Sequence, residues 1–170
     1  MPVAMPTRIL SPDQISLKIK RLAYQVIESN FYEKHLYLAG IRGQGAVLAR
    51  LLEAELAQAA PFTITPFAIE VDKRARTHQQ VQLTGIAAEA LADAVVVLVD
   101  DVLSTGRTLS FATSPLLSQP LRRLQTVVLV ERSHRAFPVQ ATFSGMSLAT
   151  TLEEHVEVQL EGDAAGVWLR

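Results

Sequence analysis

The sequence predicts an α/β fold in which helices flank a mainly parallel sheet. Strand patterns and helix patterns alternate along most of the chain, as they do when parallel strands are joined by helices. The clearest strand pattern, residues 95–99, is a continuous run of valine and leucine that suits a strand covered on both faces. Two short β patterns, residues 156–160 and 166–169, surround a Gly162-Asp163 turn and predict a C-terminal β-hairpin.

The composition favours a compact intracellular protein. The 170 residues fit one domain, residues 1–170, and the 49% of hydrophobic residues excludes a disordered chain. The chain has no cysteine, which excludes disulfides and thiolate metal sites. We see no signal peptide and no apolar run of the ~18 residues that a membrane helix needs, so we expect a cytoplasmic protein. The net charge of −1 gives no global attraction to nucleic acid.

The first helix has a clear start signal. Ser11 suits the N-cap, Pro12 suits the first helical position, and Gln14 closes a capping box. Apolar residues with helical spacing follow and predict the side that faces the core. They are Ile15, Ile19, Leu22, Ala23, Val26 and Ile27.

The next segment predicts a strand, a helix and a second strand. Residues 36–41 have a strand pattern, and residues 46–59 form an apolar helix that Pro61 ends. Residues 62–71 predict another strand. Residues 72–84 are polar and rich in charge, so we expect a mobile loop there.

The most informative segment follows the valine-rich strand. Asp100 and Asp101 come where we expect that strand to end, which is where open α/β sheets bind ligands. Residues 104–108, Ser-Thr-Gly-Arg-Thr, then supply hydroxyls and free backbone N–H groups at the start of a helix, a ready phosphate site. Gly106 allows a positive φ and a close approach to an anion with no Cβ in the way. We expect this helix to be short or kinked near Ser114, because Pro115 follows.

A second glycine-rich turn joins a strand to a helix. Gly40, Gly43 and Gly45, together with Arg42, could present N–H groups and one positive charge to another anion. Glycines in this position more simply permit a tight turn, so both interpretations stay open. After this turn and the aspartate segment, residues 126–131 predict a further strand.

The run from the valine-rich strand to Thr108 resembles the phosphoribosyl-diphosphate (PRPP) signature of the type I phosphoribosyltransferases. The resemblance implies that family's fold, with Asp100 and Asp101 beside the ribose hydroxyls and a bound Mg²⁺ as the catalytic and metal-side carboxylates. It implies a 5′-phosphate loop made of Ser104, Thr105, Gly106, Arg107 and Thr108. It also implies a diphosphate site at Ile41, Arg42 and Gly43.

A wider resemblance covers most of the chain and points to the PyrR family, a pyrimidine-operon attenuator that doubles as a uracil phosphoribosyltransferase. It is carried by Lys20-Arg21-Leu22-Ala23, by Ala39-Gly40-Ile41-Arg42 and by Glu131-Arg132-Ser133-His134-Arg135. It implies transfer of 5-phosphoribosyl from PRPP to uracil, which gives UMP and diphosphate, by a homo-oligomer of two or more copies. It also implies a base pocket at Arg132, His134 and Arg135.

The chain departs from the family pattern at several places, and three of them bear on function. Gln44 stands where arginine is usual, Tyr24 stands where histidine is usual, and the loop beginning Asp72-Lys73-Arg74-Ala75 is short. We therefore expect modest turnover that Gln44→Arg raises, and weak RNA binding. Two alternatives remain. One is a phosphoribosyltransferase for another base, and the other is an RNA-binding regulator that senses pyrimidine nucleotides, with a patch of Lys18, Lys20, Arg21, His134 and Arg135.

Overall fold

The computed structural model describes residues 5–72 and 74–170, so Lys73 of the polar loop lies outside the described residues. Three helices and nine strands are described. The helices are α1 (Pro12–Ser29), α2 (Gln44–Ala59) and α3 (Arg107–Leu117). The strands are β1 (Thr7–Leu10), β2 (His35–Ile41), β3 (Thr63–Glu70), β4 (Gln82–Thr84), β5 (Val95–Leu103), β6 (Arg123–Arg132), β7 (Phe143–Leu148), β8 (Val156–Gln159) and β9 (Gly166–Leu169). Short 3-10 helices cover His78–Gln80 and Ala88–Leu91.

The main sheet has six strands in the order β4-β3-β2-β5-β6-β7. Every pair is parallel except β3 with β4, which confirms the predicted fold class. The chain adds β3 on one side of β2 and then adds β5, β6 and β7 on the other side. The strand order therefore reverses between β2 and β5, and the crevice outside their carboxyl ends is where such sheets bind ligands.

Both faces of the sheet are covered, as the valine-rich pattern of β5 predicted. Val97 and Val99 belong to a core that includes the buried faces of α1 and α2. Val96 and Leu98 belong to a second core, on the side of α3. The start of α1 is also confirmed, because Ser11 and Gln14 form the predicted capping box and all six predicted core positions of α1 are buried.

The predicted hairpin is confirmed and is part of a second sheet. β8 and β9 pair antiparallel around Gly162, which has a φ of +84°. β1 joins them in the order β1-β9-β8. The sequence analysis missed β1 because its four residues are mostly exposed and carry no clear alternation.

β7 was also missed, because its serines and Gly145 give a weak strand signal. A Cβ at Gly145 would lie 2.6 Å from the carbonyl oxygen of Leu129, so glycine allows the backbones of β7 and β6 to come together.

The polar segment 72–84, which the sequence predicted as a mobile loop, contains two short regular elements. It holds the 3-10 helix His78–Gln80, and β4 pairs with the edge of β3 through Leu83 opposite Ile69. The edge position explains why this strand was missed, since polar side chains on an edge strand hide the strand pattern. Helix α3 is short, at 11 residues, as predicted, but it continues past Ser114 and ends two residues after Pro115.

Within residues 5–72 and 74–170, no helix combines the length and the apolar character that spanning a membrane would require.

Candidate active site at the reversal of strand order

The two aspartates lie inside β5 and not at its end. The strand continues through them to Leu103, because Val102 pairs with Val130 and Leu103 pairs with Glu131. Asp100 is 8% exposed, and its Oδ1 accepts a hydrogen bond from the backbone N–H of Asp101 at 3.0 Å. The sequence-based prediction thus ended the strand too early, since it ignored pairing with β6.

The first turn of α2 packs directly against Asp100. A Cβ at Gly45 would lie 2.9 Å from Oδ1 of Asp100 and 3.1 Å from the carbonyl oxygen of Val99, so only glycine fits without a shift. A Cβ at Gly40 would likewise lie 2.9 Å from Cα of Ala46. These two glycines bring α2 onto β2 and β5, and the turn itself is made by Gly43, at a φ of +100°.

Asp100 and the predicted phosphate loop share one cavity of about 80 Å³. Asp101 is not part of its lining. Because whole small-molecule ligands occupy cavities of about 300–1,000 Å³, this one can hold only one end of such a ligand. The first turn of α3 contributes backbone N–H groups that lack helical partners, and the N-cap residue Gly106 has no side chain to cap them. The lining residues are Asp100, Val102, Leu103, Ser104, Thr105, Gly106, Arg107, Thr108, Leu109 and Val128.

Gly106 is needed for a reason that the sequence did not show. Its φ of +84° confirms the predicted left-handed conformation. The space where a Cβ would stand, however, faces Cγ2 of Val139 at 2.4 Å, so it is filled by protein and not kept open for an anion. The carbonyl of Thr105 accepts hydrogen bonds from the N–H groups of Ala136 and Phe137, at 2.9 and 3.0 Å. The segment after β6 therefore packs against the phosphate loop and supports its backbone.

Arg107 connects the loop to the segment before β4. Its guanidinium donates a hydrogen bond to the carbonyl of Ala75 and lies 5.2 Å from the centre of the Phe111 ring. The N–H of Arg107 also donates to Oγ1 of Thr105 at 3.3 Å. Arg107 lines the cavity, but its charge is directed in part towards residues that precede β4.

Arg135 is tied to the backbone on several sides. Its guanidinium donates to the carbonyl of Ser104 at 2.6 Å, to that of Val139 at 3.1 Å and to that of Arg132, and it pairs with the carboxylate of Glu131. These bonds join the end of β6 to the start of the loop. The guanidinium of Arg135 thus supports the loop backbone directly.

Arg132 is buried and reaches towards the opposite side. It donates to Oγ1 of Thr150 at 2.9 Å, to the carbonyl of Glu154 at 2.7 Å and to Oγ of Ser104 at 3.4 Å. A ring nitrogen of His134 lies 2.7 Å from the carbonyl oxygen of Thr150, which makes that nitrogen the donor. The N–H of Thr151 donates a hydrogen bond to the Glu154 carboxylate and lowers the pKa of that group from its usual value. The three predicted base-pocket residues are therefore brought together around the end of β6.

The diphosphate-loop residues have protein partners of their own. The side chain of Ile41 is buried, and the N–H of Arg42 donates to the carbonyl of Ile69 at 2.9 Å. Nη2 of Arg42 lies 2.6 Å from Oε1 of Glu70, and both side chains are well exposed. An exposed ion pair contributes only about 0–1 kcal/mol, so a multiply charged anion could draw Arg42 away from Glu70. Sequence analysis did not predict this pairing.

Gln44 has a structural task. Its Oε1 accepts a hydrogen bond from the N–H of Leu160 at 3.0 Å, which ties the start of α2 to the segment after β8. Arginine has no acceptor, so Gln44→Arg leaves that N–H without its partner.

We expect Gln44→Arg to lower the free energy of unfolding by about 1 kcal/mol, since a typical hydrogen bond contributes about that much. Any gain in turnover from the added charge would come with this loss. Chemical denaturation of both proteins measures it. Gln44→Glu keeps the acceptor and is the matched control, and equal stability of Gln44→Arg and wild type would contradict the role of the Leu160 hydrogen bond.

Comparison with known proteins shows the family of the chain. The model of the phosphoribosyl transferase domain matches residues 7–162. The chain belongs to the phosphoribosyltransferase family. Among its relatives in the family are proteins named bifunctional protein PyrR. The one from Haemophilus ducreyi is 31% identical over 159 residues, which cover 90% of this chain and 89% of the relative. The one from Herpetosiphon aurantiacus is 35% identical over 168 residues, covering 94% and 93%.

Solved phosphoribosyltransferases share the fold at lower identity. The hypoxanthine phosphoribosyltransferase of Trypanosoma cruzi matches with a TM-score of 0.77 and 18% identity, over 96% of this chain and 95% of that one. The enzyme of the same name from Staphylococcus aureus matches with a TM-score of 0.70 and 20% identity, over 84% and 77%. These likenesses support the type I phosphoribosyltransferase fold.

The acidic residues suit one kind of metal site. No group of three or more His, Asp or Glu side chains within the described ranges could enclose a metal ion. Asp100 lines the cavity beside the loop, and Asp101 is the next residue of β5. Mg²⁺ is commonly held by one or two carboxylates together with the phosphates of its substrate. The residues present therefore fit a Mg²⁺ that arrives with a phosphorylated ligand.

Proposed function

We propose that this phosphoribosyltransferase transfers 5-phosphoribosyl from PRPP to uracil, which gives UMP and diphosphate. The observation that carries the proposal is the cavity that Asp100 shares with the Ser104–Thr108 loop, at the reversal of strand order and beside the glycine turn after β2. PRPP has a phosphate at one end and a diphosphate at the other. One small anion cavity with a second glycine turn on the neighbouring strand suits such a ligand.

In this proposal each element acts on one part of PRPP. The loop backbone and the hydroxyl of Thr105 bind the 5′-phosphate, so binding energy from that end positions the reacting carbon. The bond between ribose C1 and the diphosphate oxygen breaks, the diphosphate keeps the electron pair, and a ring nitrogen of uracil bonds to C1 and loses its proton. Asp100 stabilises the positive charge that develops on the ribose, and Arg42 exchanges Glu70 for the departing diphosphate.

Mg²⁺ is the cofactor that the proposal includes. Asp100 and Asp101 would hold it together with the substrate phosphates. When bound, it offsets the negative charge on the leaving diphosphate.

The choice of uracil rests on the resemblance to the PyrR family and not on the pocket. Arg132 and Arg135 donate hydrogen bonds mainly to backbone carbonyls around the end of β6. They would therefore shape the base pocket more than they would recognise the base by hydrogen bonds. His134 is also held by a backbone carbonyl. A panel of nucleobases with PRPP and Mg²⁺, followed by detection of the nucleotide product, tests the substrate. UMP formation from uracil supports the proposal, and a product from hypoxanthine or guanine alone contradicts the choice of uracil.

The phosphate loop has its own test. We expect Thr105→Ala to weaken PRPP binding about tenfold, because one hydrogen bond to a charged group is lost. Thr105→Ser keeps the hydroxyl and should bind nearly as wild type does. Calorimetric titration with PRPP and Mg²⁺ measures both. Equal affinity of Thr105→Ala and wild type would place the phosphate elsewhere. Gly106→Val is a poorer test, since its side chain would strike Val139.

A nucleotide-sensing RNA regulator is the second candidate. A groove of about 210 Å³ between α1 and β7 is lined by Lys18, Arg21, Gln25, Ser144 and other residues, and Nζ of Lys18 donates to the carbonyl of Gly145 at 3.0 Å. Two cations beside a groove are few for RNA, and the net charge of the chain is −1.

We therefore expect weak RNA binding that is lost quickly as the salt concentration rises. A gel-shift titration with candidate leader RNA, with and without UMP, measures it. Tight binding at physiological salt that UMP enhances would instead make regulation the main function, since a regulator requires that coupling.

A further inference from the structure

Arg42 is turned away from the crevice that the candidate site occupies. The turn that carries it lies beside Asp100, because a Cβ at Gly45, three residues later, would lie 2.9 Å from Oδ1 of that aspartate. Glu70, however, ends β3, which pairs with β2 on the side opposite to β5. Nη2 of Arg42 lies 2.6 Å from Oε1 of Glu70. The ion pair therefore draws the guanidinium towards β3 and away from the opening between β2 and β5.

The backbone of this turn is held separately from the side chain of Arg42. The N–H of Arg42 donates a hydrogen bond to the carbonyl of Ile69 at 2.9 Å. The side chain of Arg42 keeps 63% of its surface exposed, and that of Glu70 keeps 39%. A Cβ at Gly43 would meet no atom of the described chain within 4 Å, so open space adjoins the turn. Arg42 can therefore exchange Glu70 for another anion while the path of the backbone stays the same.

An incoming anion has to compete with Glu70 for Arg42. The net stabilisation from an exposed ion pair is small, and it corresponds to a factor of up to about five in a dissociation constant. An anion with one negative charge gains little more from Arg42 than Glu70 already offers. A diphosphate carries several negative charges on a small group, so its attraction to the guanidinium is larger. The Arg42–Glu70 pair therefore favours a multiply charged ligand over a singly charged one.

We infer that Glu70 is a positioning residue that competes with diphosphate for Arg42 and so limits how tightly the diphosphate is held. The inference rests on the proposed function, in which diphosphate is the leaving group. While the site is empty, Arg42 pairs with Glu70, and a bound diphosphate takes the guanidinium in its place. Glu70 regains Arg42 when the diphosphate departs, which offsets part of the cost of breaking that contact. Glu70 thereby shortens the time for which the product diphosphate occupies the site.

Calorimetric titration with diphosphate and Mg²⁺ is the first test. Glu70→Gln keeps the size of the side chain and removes its charge, so we expect the dissociation constant of diphosphate to fall about three- to fivefold. The dissociation constant of ribose 5-phosphate should stay unchanged, since its phosphate belongs at the Ser104–Thr108 loop. Damage to the fold would weaken binding of both ligands, so tighter binding of diphosphate alone is specific. Diphosphate affinity in Glu70→Gln that does not exceed that of wild type would overturn the inference.

A matched control removes a similar ion pair from another part of the molecule. Glu157 on β8 pairs with Arg170, and their side chains keep 49% and 56% of their surface exposed. Glu157→Gln changes the net charge of the chain by the same amount as Glu70→Gln. It should leave the affinity for diphosphate unchanged, because β8 belongs to the second sheet. Equal tightening in the two variants would show a general effect of charge and would contradict a specific role of Glu70.

A double-mutant cycle shows whether Glu70 acts through Arg42 or repels diphosphate directly. The effect of Glu70→Gln is measured again in a chain that carries Arg42→Met. If Glu70 acts through Arg42, Glu70→Gln changes the affinity for diphosphate little in that background. An equal gain in both backgrounds would mean direct repulsion, and the inference would be wrong. It would also be wrong if the wild-type chain binds no diphosphate.

Steady-state kinetics separates this inference from the proposed function. Glu70→Gln should lower KM for PRPP and the inhibition constant of diphosphate by similar factors, and KM for the base should stay the same. An unchanged inhibition constant would contradict the inference. Formation of UMP reports on the proposed reaction alone. Because titration with diphosphate needs neither a base nor turnover, a chain that forms no UMP contradicts the proposed function, while the dissociation constants still decide the role of Glu70.

Discussion

Asp100→Asn is expected to lower the rate of phosphoribosyl transfer by about 10²- to 10³-fold while the protein stays folded. Asparagine has the same shape and keeps an oxygen that can accept the hydrogen bond from Asp101, so β5 is preserved. It lacks the negative charge that would stabilise a cationic ribose beside the loop. Steady-state kinetics with PRPP, Mg²⁺ and the accepted base gives kcat and KM for the variant. If kcat of Asp100→Asn equals that of wild type, Asp100 has no role in the reaction.

Two further variants make this result specific. Asp101→Asn should have a smaller effect, because Asp101 does not line the cavity that Asp100 shares with the loop. Asp93→Asn should have none, since Asp93 is exposed, and asparagine tolerates its positive φ of 57°. A larger loss in Asp101→Asn than in Asp100→Asn would mean that the ribose lies on the other side of β5.

Arg135→Met is expected to lower the free energy of unfolding by about 2–4 kcal/mol, since hydrogen bonds from a charged donor contribute more than neutral ones. Methionine fills similar space but leaves Glu131 without its partner and removes the donors to the carbonyls of Ser104 and Val139. The loop that begins at Ser104 would lose its support. Chemical denaturation measures the loss of stability.

Kinetics of the same variant separates two roles of Arg135. If the guanidinium supports the phosphate loop, KM for PRPP rises and KM for the base changes little. If it contacts the base, the opposite holds. Arg135→Lys keeps a charge beside Glu131 but offers a single nitrogen, so it should recover part of the stability and little of the PRPP affinity. Unchanged stability and unchanged KM values in Arg135→Met would contradict both roles.

The elements that the sequence predicted are those with local causes. α1 was predicted because Ser11 and Gln14 cap it and its apolar spacing is regular. The middle of β5 was predicted because a strand buried on both faces needs an unbroken apolar run. β4 and β7 have no such signal. Each is a strand because a neighbour supplies hydrogen bonds, β3 in one case and β6 in the other.

The same division applies to the candidate site. The residue types of the loop and the positive φ of Gly106 follow from a short motif. The partners do not, because Glu70 beside Arg42, Leu160 beside Gln44 and Val139 behind Gly106 are all distant along the chain. These partners decide which charges are directed into the crevice. A sequence motif therefore predicts the residue types of this site better than it predicts their partners.

The reversal of strand order between β2 and β5 also bears on how far such a protein can diverge. The crevice exists because consecutive strands are added first on one side of β2 and then on the other, so no single side chain creates it. The chain path therefore preserves the opening when side chains around it change. The Trypanosoma cruzi enzyme shares this architecture at 18% identity. In this fold the backbone path can thus persist while the side chains at the strand ends change. Such changes can alter the chemistry of the crevice.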